Sequence, residues 1–137
     1  SAYVGKKEVM DACLKGGVSV SSTFAGDTLS LAAAKCCISV YENQDVVGHL
    51  WKQGEFLWTN VNRIFEQYHI PLEVKGFWPC PQILPKADAD DQILERFFRS
   101  AYRHGVSMYN VSYVNFSHKK ADLEETLSRL EKACQVI

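Results

Sequence analysis

Between residues 47 and 68 the apolar positions recur three and four apart. Val47, Leu50, Gly54, Leu57, Val61, Ile64 and Tyr68 form one stripe, which predicts a long helix with a single face in a core. Asn43 to Asp45 precede it and Pro71 follows it, so the helix is expected to run to about His69. Upstream, Thr28 to Glu42 is Ala-rich and apolar nearly all round, which predicts a buried helix rather than an amphipathic one, with Asp27 or Thr28 as its cap. A shorter helix is expected over Lys6 to Leu14, stopped by Gly16-Gly17.

After Pro71 the spacing changes. Leu72 to Phe77 and Cys80 to Leu84 read as short strands around Trp78-Pro79, with Pro81 suggesting an edge position. Val106 to Met108, Val111 to Phe116 and, at the start, Ser1 to Val4 are further strand candidates. Asp90 to Arg103 is expected to be helical, with Ile93, Leu94, Phe97, Phe98 and Ala101 inward and Gly105 as terminator. A last helix starting near Ser117 carries Leu123, Leu127, Leu130 and Cys134 on one face. Helices first and then a ββαββα order favour an α+β domain with its sheet covered on one face.

Composition narrows the function classes without choosing among them. The 137 residues carry 15 Lys+Arg against 16 Asp+Glu, a formal charge of −1, so no electrostatic footprint points to nucleic acid or to an anionic membrane surface. The longest apolar run, Leu29 to Val40, is broken by Ser30, Lys35 and Ser39 and is too short to span a bilayer. No basic segment followed by an apolar one opens the sequence, so no secretory leader is expected. The five cysteines (Cys13, Cys36, Cys37, Cys80, Cys134) show no CxxC spacing and read as structural free thiols in a reducing cytoplasm. His49, His69, His104 and His118 are not spaced like a zinc site, so no metal is expected. A metal or thiol enzyme would have to rest on Cys36-Cys37 and His118 alone.

Chemistry concentrates in Ser21-Ser22-Thr23-Phe24-Ala25-Gly26-Asp27-Thr28. Hydroxyls stand directly before a Gly and a helix N-terminus, where backbone N–H groups and the positive end of the helix dipole suit a phosphate. The plainer alternative is a connector leading into a capped helix, and the Asp27 carboxylate argues for it because it repels a phosphate.

This segment, continuing into Leu29-Ser30-Leu31-Ala32-Ala33-Ala34, resembles the phosphate-contacting turn of class III pyridoxal-phosphate (PLP) aminotransferases, with Asp27 where that family usually has Asn. Ala2-Tyr3-Val4-Gly5-Lys6-Lys7-Glu8-Val9-Met10 resembles the family's strand, Gly and basic pair upstream of the turn. Ile70 to Gly76 resembles the first strand of its C-terminal small domain. Arg103-His104-Gly105-Val106 is similar to a late helix-to-strand turn, and Ser117-His118 with Asp122 to Leu127 to the terminal helix. The absence of Arg from Tyr109 to Phe116, and the Ser-His that follows, resemble the glutamate-1-semialdehyde aminomutase branch.

The resemblance implies a fold and a division of labour. The fold would be the C-terminal small domain of a fold type I PLP enzyme, an antiparallel sheet of about three to four strands covered by helices and preceded by a long helix. Residues 1–26 would be a residual edge of the large PLP-binding domain and 27–137 the small domain. In the family a lysine forms the Schiff base with PLP, and the resemblance puts that lysine upstream of this chain, so no catalytic residue is assigned here. Lys6 and Lys7 match the basic pair and read as solvated charges. Thr23, with Ser22 second, would contact the PLP phosphate of the other subunit across a dimer interface. Asn110 falls near an active-site acidic position of the aminomutase branch, and His118 either faces the site or serves the start of the last helix. With Lys119 where the family often has a Thr cap, Ser117 is left to cap that helix. The implied function is amino-group transfer on a small amino compound by a cytoplasmic homodimer, with the rest of the aminotransferase chain as partner. The competing function is a non-catalytic α+β interaction domain that retains the fold.

Overall fold

The chain's computed structural model describes residues 4–16, 18–19, 21, 23–24 and 26–137. The strand expected over Ser1 to Val4 falls almost wholly outside them. Packing divides the chain into two units, Ser1–Gln44 and Asp45–Ile137.

In the first unit, α1 (Lys7–Leu14) is followed by Gly16, whose φ of 81° is the left-handed turn that stops a helix. Lys7 is paired with Asp11 one turn along. The second helix, α2 (Thr28–Asn43), begins where the sequence expects, with Asp27 as its N-cap. Its burial is not as expected: neither α1 nor α2 contains a buried residue, and Leu29, Leu31, Ile38 and Tyr41 are all more than half exposed. The Ala-rich pattern correctly gave a helix. The unit's eight- and sixteen-residue helices supply no layer that covers it.

The second unit is organised around α3 (Val46–Gln67), α4 (Ile93–Arg103) and α5 (Lys120–Cys134), with the two-stranded antiparallel sheet β1 (Leu72–Lys75) and β2 (Gln82–Pro85). The Asp45 carboxylate accepts the Gly48 N–H (3.0 Å) and starts α3 one residue earlier than the stripe implies. Val46 is therefore buried and Val47 exposed, and lower down Trp58 and Phe65 join Gly54, Leu57 and Val61 on the buried face. The drift is what a 3.6-residue turn produces against a strict 3-4 alternation. Phe65 meets Phe97 of α4 edge-on at 5.1 Å, and Leu130 and Cys134 of α5 complete the core with Ile83 and Leu72. Ser100 enters this core only because its hydroxyl donates to the Ala133 carbonyl (2.8 Å), which ties α4 to α5.

The sheet is smaller than expected: two strands and an isolated bridge, Gln82 to Val111, instead of three or four strands. Gly76, at φ 109°, turns the chain after Lys75, so β1 ends early and Phe77 is exposed. The outer edge of β1 is closed by Asn62, whose amide takes both the N–H (2.7 Å) and the carbonyl (3.1 Å) of Val74. On the other side, 110–114 runs antiparallel to 79–83. Ile83 donates to the Asn110 carbonyl (2.7 Å), Ser112 to the Pro81 carbonyl (3.4 Å) and Val114 to the Pro79 carbonyl (3.1 Å). Pro79 and Pro81 have no N–H to return, so the ladder is half-made and no third strand forms. Pro81 is accordingly buried between β1 and this segment, not on an open edge.

The last helix also begins later than expected. The Ser117 hydroxyl is drawn to the Asn115 side-chain oxygen (2.6 Å), which also accepts the N–H groups of Ser117 and His118. Ser117 is thus not the cap. The Lys119 N–H donates instead to the Asp122 carboxylate (2.7 Å), and α5 starts at Lys120.

Candidate functional site

Thr23 is exposed in the turn leading to α2, whereas Ser22 lies outside the described residues. The turn closes through the Asp27 N–H donating to the Phe24 carbonyl (3.2 Å), and Gly26, at φ 77°, makes that reversal possible. The Asp27 carboxylate accepts both the Ser30 N–H and the Ser30 hydroxyl at 2.9 Å. These bonds hold its carboxyl below the ordinary value of 3.8. Of the first helical amides, those of Thr28 and Leu29 precede any i−4 acceptor and remain directed out of the helix end. The turn therefore offers an anion two amides and the Thr23 hydroxyl, and opposes it with a carboxylate already seated at the third amide. The donors this turn has for a phosphate are the exposed Thr23 hydroxyl and these two amides.

The basic pair has the solvated character expected of it: Lys7 is spent on Asp11, with its side chain 81% exposed, and Lys6 lies before the first turn of α1. Asn110 belongs to the frame of the sheet, since its carbonyl takes the Ile83 N–H and its side-chain oxygen the Val111 N–H (3.0 Å).

His118 lies elsewhere, on a cavity of about 380 Å³ in the second unit. Leu57 and Trp58 of α3 and Leu123 of α5 line it with the 106–109 and 111–113 backbone segments, and His118, Asp122 and Thr126 contribute polar groups. The His118 carbonyl meets the His49 ring Nε2 at 3.1 Å, and His49 packs edge-on against Phe116 (4.9 Å). His118 therefore both helps place the approach to α5 and lines a cavity. Trp58 is the residue that the sequence does not reveal as special. It is only 2% exposed, yet its indole N–H has no hydrogen-bond partner among the described residues. Its place on the α3 face reads as core packing, and nothing in spacing signals an unpaired donor.

No family model matches the chain. Among curated proteins, the glutamate-1-semialdehyde 2,1-aminomutase of Thermoplasma volcanium is 25% identical over 145 residues, which is 96% of this chain and 34% of that protein. The enzymes of the same name from Methanocella arvoryzae (23% identical, 98% of this chain, 35% of theirs) and Thermus thermophilus (24%, 97% and 35%) align likewise. The resemblance is to the C-terminal part of glutamate-1-semialdehyde 2,1-aminomutases. The chain spans about a third of the length of the aminomutases it matches. Among solved structures, the PLP internal aldimine form of the FumI protein from Sphingopyxis sp. MTA144 superposes with a TM-score of 0.78 at 19% identity, covering 97% of this chain and 32% of that one. The fold is thus that of a segment of a fold type I PLP enzyme, as the aminomutase resemblance implied. No helix among the described residues is long and apolar enough to cross a membrane.

Proposed function

We propose that this chain is the C-terminal part of a PLP-dependent aminomutase or aminotransferase acting on a small amino compound. The observation that carries this reading is the end-to-end alignment with aminomutases over 96–99% of the chain. On this reading residues 1–26 are the edge of a large PLP-binding domain and 27–137 the small domain of a cytoplasmic homodimer. Thr23, with Ser22, holds the phosphate end of the cofactor. PLP, when bound, supplies the electron sink for amino transfer. This chain's own part is positional: the Thr23 hydroxyl and the Thr28 and Leu29 amides donate to the phosphate oxygens, and Asp27 fixes the helix end that presents them. Lys6 and Lys7 take no part in the chemistry.

Two measurements test the proposal. Reading the coding sequence before Ser1 is expected to reveal a Gly-rich segment carrying the Schiff-base lysine, and an upstream region without one overturns the enzyme reading. Mixing PLP with the 137-residue chain is expected to give no imine absorbance that survives dialysis. A persistent one would move the lysine into this chain.

A second reading, a non-catalytic interaction domain with the same fold, draws on Asp27 occupying the amide of the phosphate-facing turn. Replacing Thr23 with Val in the complete protein separates the two. Weakened PLP retention supports the enzyme, and unchanged retention favours the interaction domain.

A further inference from the structure

The cavity of the second unit shares no residue with the Thr23 turn. Its volume of about 380 Å³ is more than twice that of cavities known to take up a benzene ring, about 150 Å³. A ring with a short side arm therefore has room. Leu57, Val106, Met108 and Leu123 give it an apolar wall. Tyr109 and Tyr113, which belong to the lining yet are 75% and 69% exposed, mark its open side.

The bonds that the polar side chains of the lining already make leave acceptors over. The Ser112 hydroxyl donates to the Tyr109 carbonyl and the Thr126 hydroxyl to the Asp122 carbonyl, both at 2.8 Å, so each oxygen keeps its lone pairs. Both ring nitrogens of His118 are taken up by Asn115, at 3.3 and 3.1 Å. Asp122 receives the Lys119 N–H on one carboxylate oxygen (2.7 Å), and its other oxygen has no partner among the described residues. Nearby Glu124 and Glu125 hold Lys120 and Arg129, and the lining itself contains no lysine or arginine, so Asp122 is left without a cation.

That inventory selects by charge. An anionic ligand would meet the Asp122 carboxylate with no cation opposite. A neutral acceptor would bring lone pairs to lone pairs. An ammonium has three donors and no acceptor, its charge is opposite to that of Asp122, and tyrosine rings attract it as well. We propose that the cavity between α3, the start of α5 and the 106–113 segment binds a small aralkyl ammonium ion, whose N–H groups donate to the Asp122 carboxylate while its ring lies among Leu57, Met108 and Leu123.

The probes are 2-phenylethylammonium, its neutral counterpart 2-phenylethanol and its anionic counterpart 3-phenylpropionate, each titrated into the 137-residue chain carrying ¹³C-methyl methionine. The chain has two methionines: Met108 reports on the cavity and Met10, in the first unit, is the control. The ammonium is expected to move the Met108 methyl signal saturably and leave Met10 in place. The alcohol should bind about three- to tenfold more weakly, the worth of one partly exposed ion pair, and the carboxylate more weakly still. Asp122→Asn keeps an oxygen for the Lys119 N–H and removes the charge, so its affinity for the ammonium should fall to that of the alcohol while the alcohol is unaffected. Val106→Phe, which keeps Asp122 and fills the cavity, should abolish binding of both and serves if Asp122→Asn does not fold. The proposal is overturned if the ammonium moves Met108 no more than Met10. It is equally overturned if the alcohol or the carboxylate matches the ammonium, or if either variant binds the ammonium as the parent chain does.

Discussion

Asp27 shows how one carboxylate decides the character of a helix end. Its folded carboxyl is held below 3.8 by the Ser30 N–H and then by the Ser30 hydroxyl. A carboxyl depressed on folding stabilises above its unfolded value, and that contribution is lost as pH falls through the folded one. The first turn of α2 is therefore expected to lose helicity below about pH 4, read from the ¹³Cα shifts of Thr28 to Leu31. Asp27→Asn keeps a capping oxygen and should remove the pH dependence, whereas Asp27→Ala should fray the turn at every pH. An Asp27→Asn chain with the same acid transition would show that another group is responsible. Cysteine reactivity divides on the same local principle. Burial, and secondarily Glu131, pushes the Cys134 thiol up to about 12, so at pH 8 it should resist iodoacetamide while exposed Cys36, Cys37 and Cys80 react. Peptide mapping of the alkylated native chain checks this, and label on Cys134 in folded protein would contradict its buried place in α5.

Among the elements, close approach separates two glycines that look alike in sequence. A Cβ on Gly54 would overlap the backbone carbonyl of Trp78, which cannot give way without moving α3 off the 76–80 turn. Gly105 has φ +82°, but its nearest neighbour is the flexible end of Arg129. Gly54→Ala should thus cost about 2–3 kcal/mol of the second unit's stability and Gly105→Ala about 1 kcal/mol, in urea unfolding. The reverse order would mean that α3 and the turn separate easily. What the sequence reveals at this scale follows the same line. The existence and type of every helix are legible because 3.6-residue periodicity, Asp27 and the Gly16 and Gly105 stops are local signals. The third strand and the Ser117 cap are misread because their outcome depends on partners far away: acceptor-only prolines across the sheet, and the Asn115 side chain competing for the hydroxyl. The candidate site divides similarly. The Thr23–Asp27 turn is visible as a motif, while the Trp58 cavity arises from residues 57 to 126 converging, which no spacing encodes.

Among the described residues, the main cluster of buried apolar side chains runs from Leu57 to Cys134, and Val46 is buried as well. The chain 45–137 alone should therefore unfold cooperatively at the same urea midpoint as the 137-residue protein, by tryptophan fluorescence. A shift to lower denaturant would mean that residues 1–44 contribute to that core. Within the second unit the half-made ladder at Pro79 and Pro81 has a kinetic consequence. With each proline contact fastened by one bond where a strand pair would have two, the 110–114 segment can peel away without undoing β1 and β2. Ser112 and Val114, and Ile83 whose N–H donates to the Asn110 carbonyl, should exchange their amide protons well before Val74, which Asn62 holds. That flank of the sheet is then a door on a weak latch, whose opening is set by two prolines and not by the hydrophobic core.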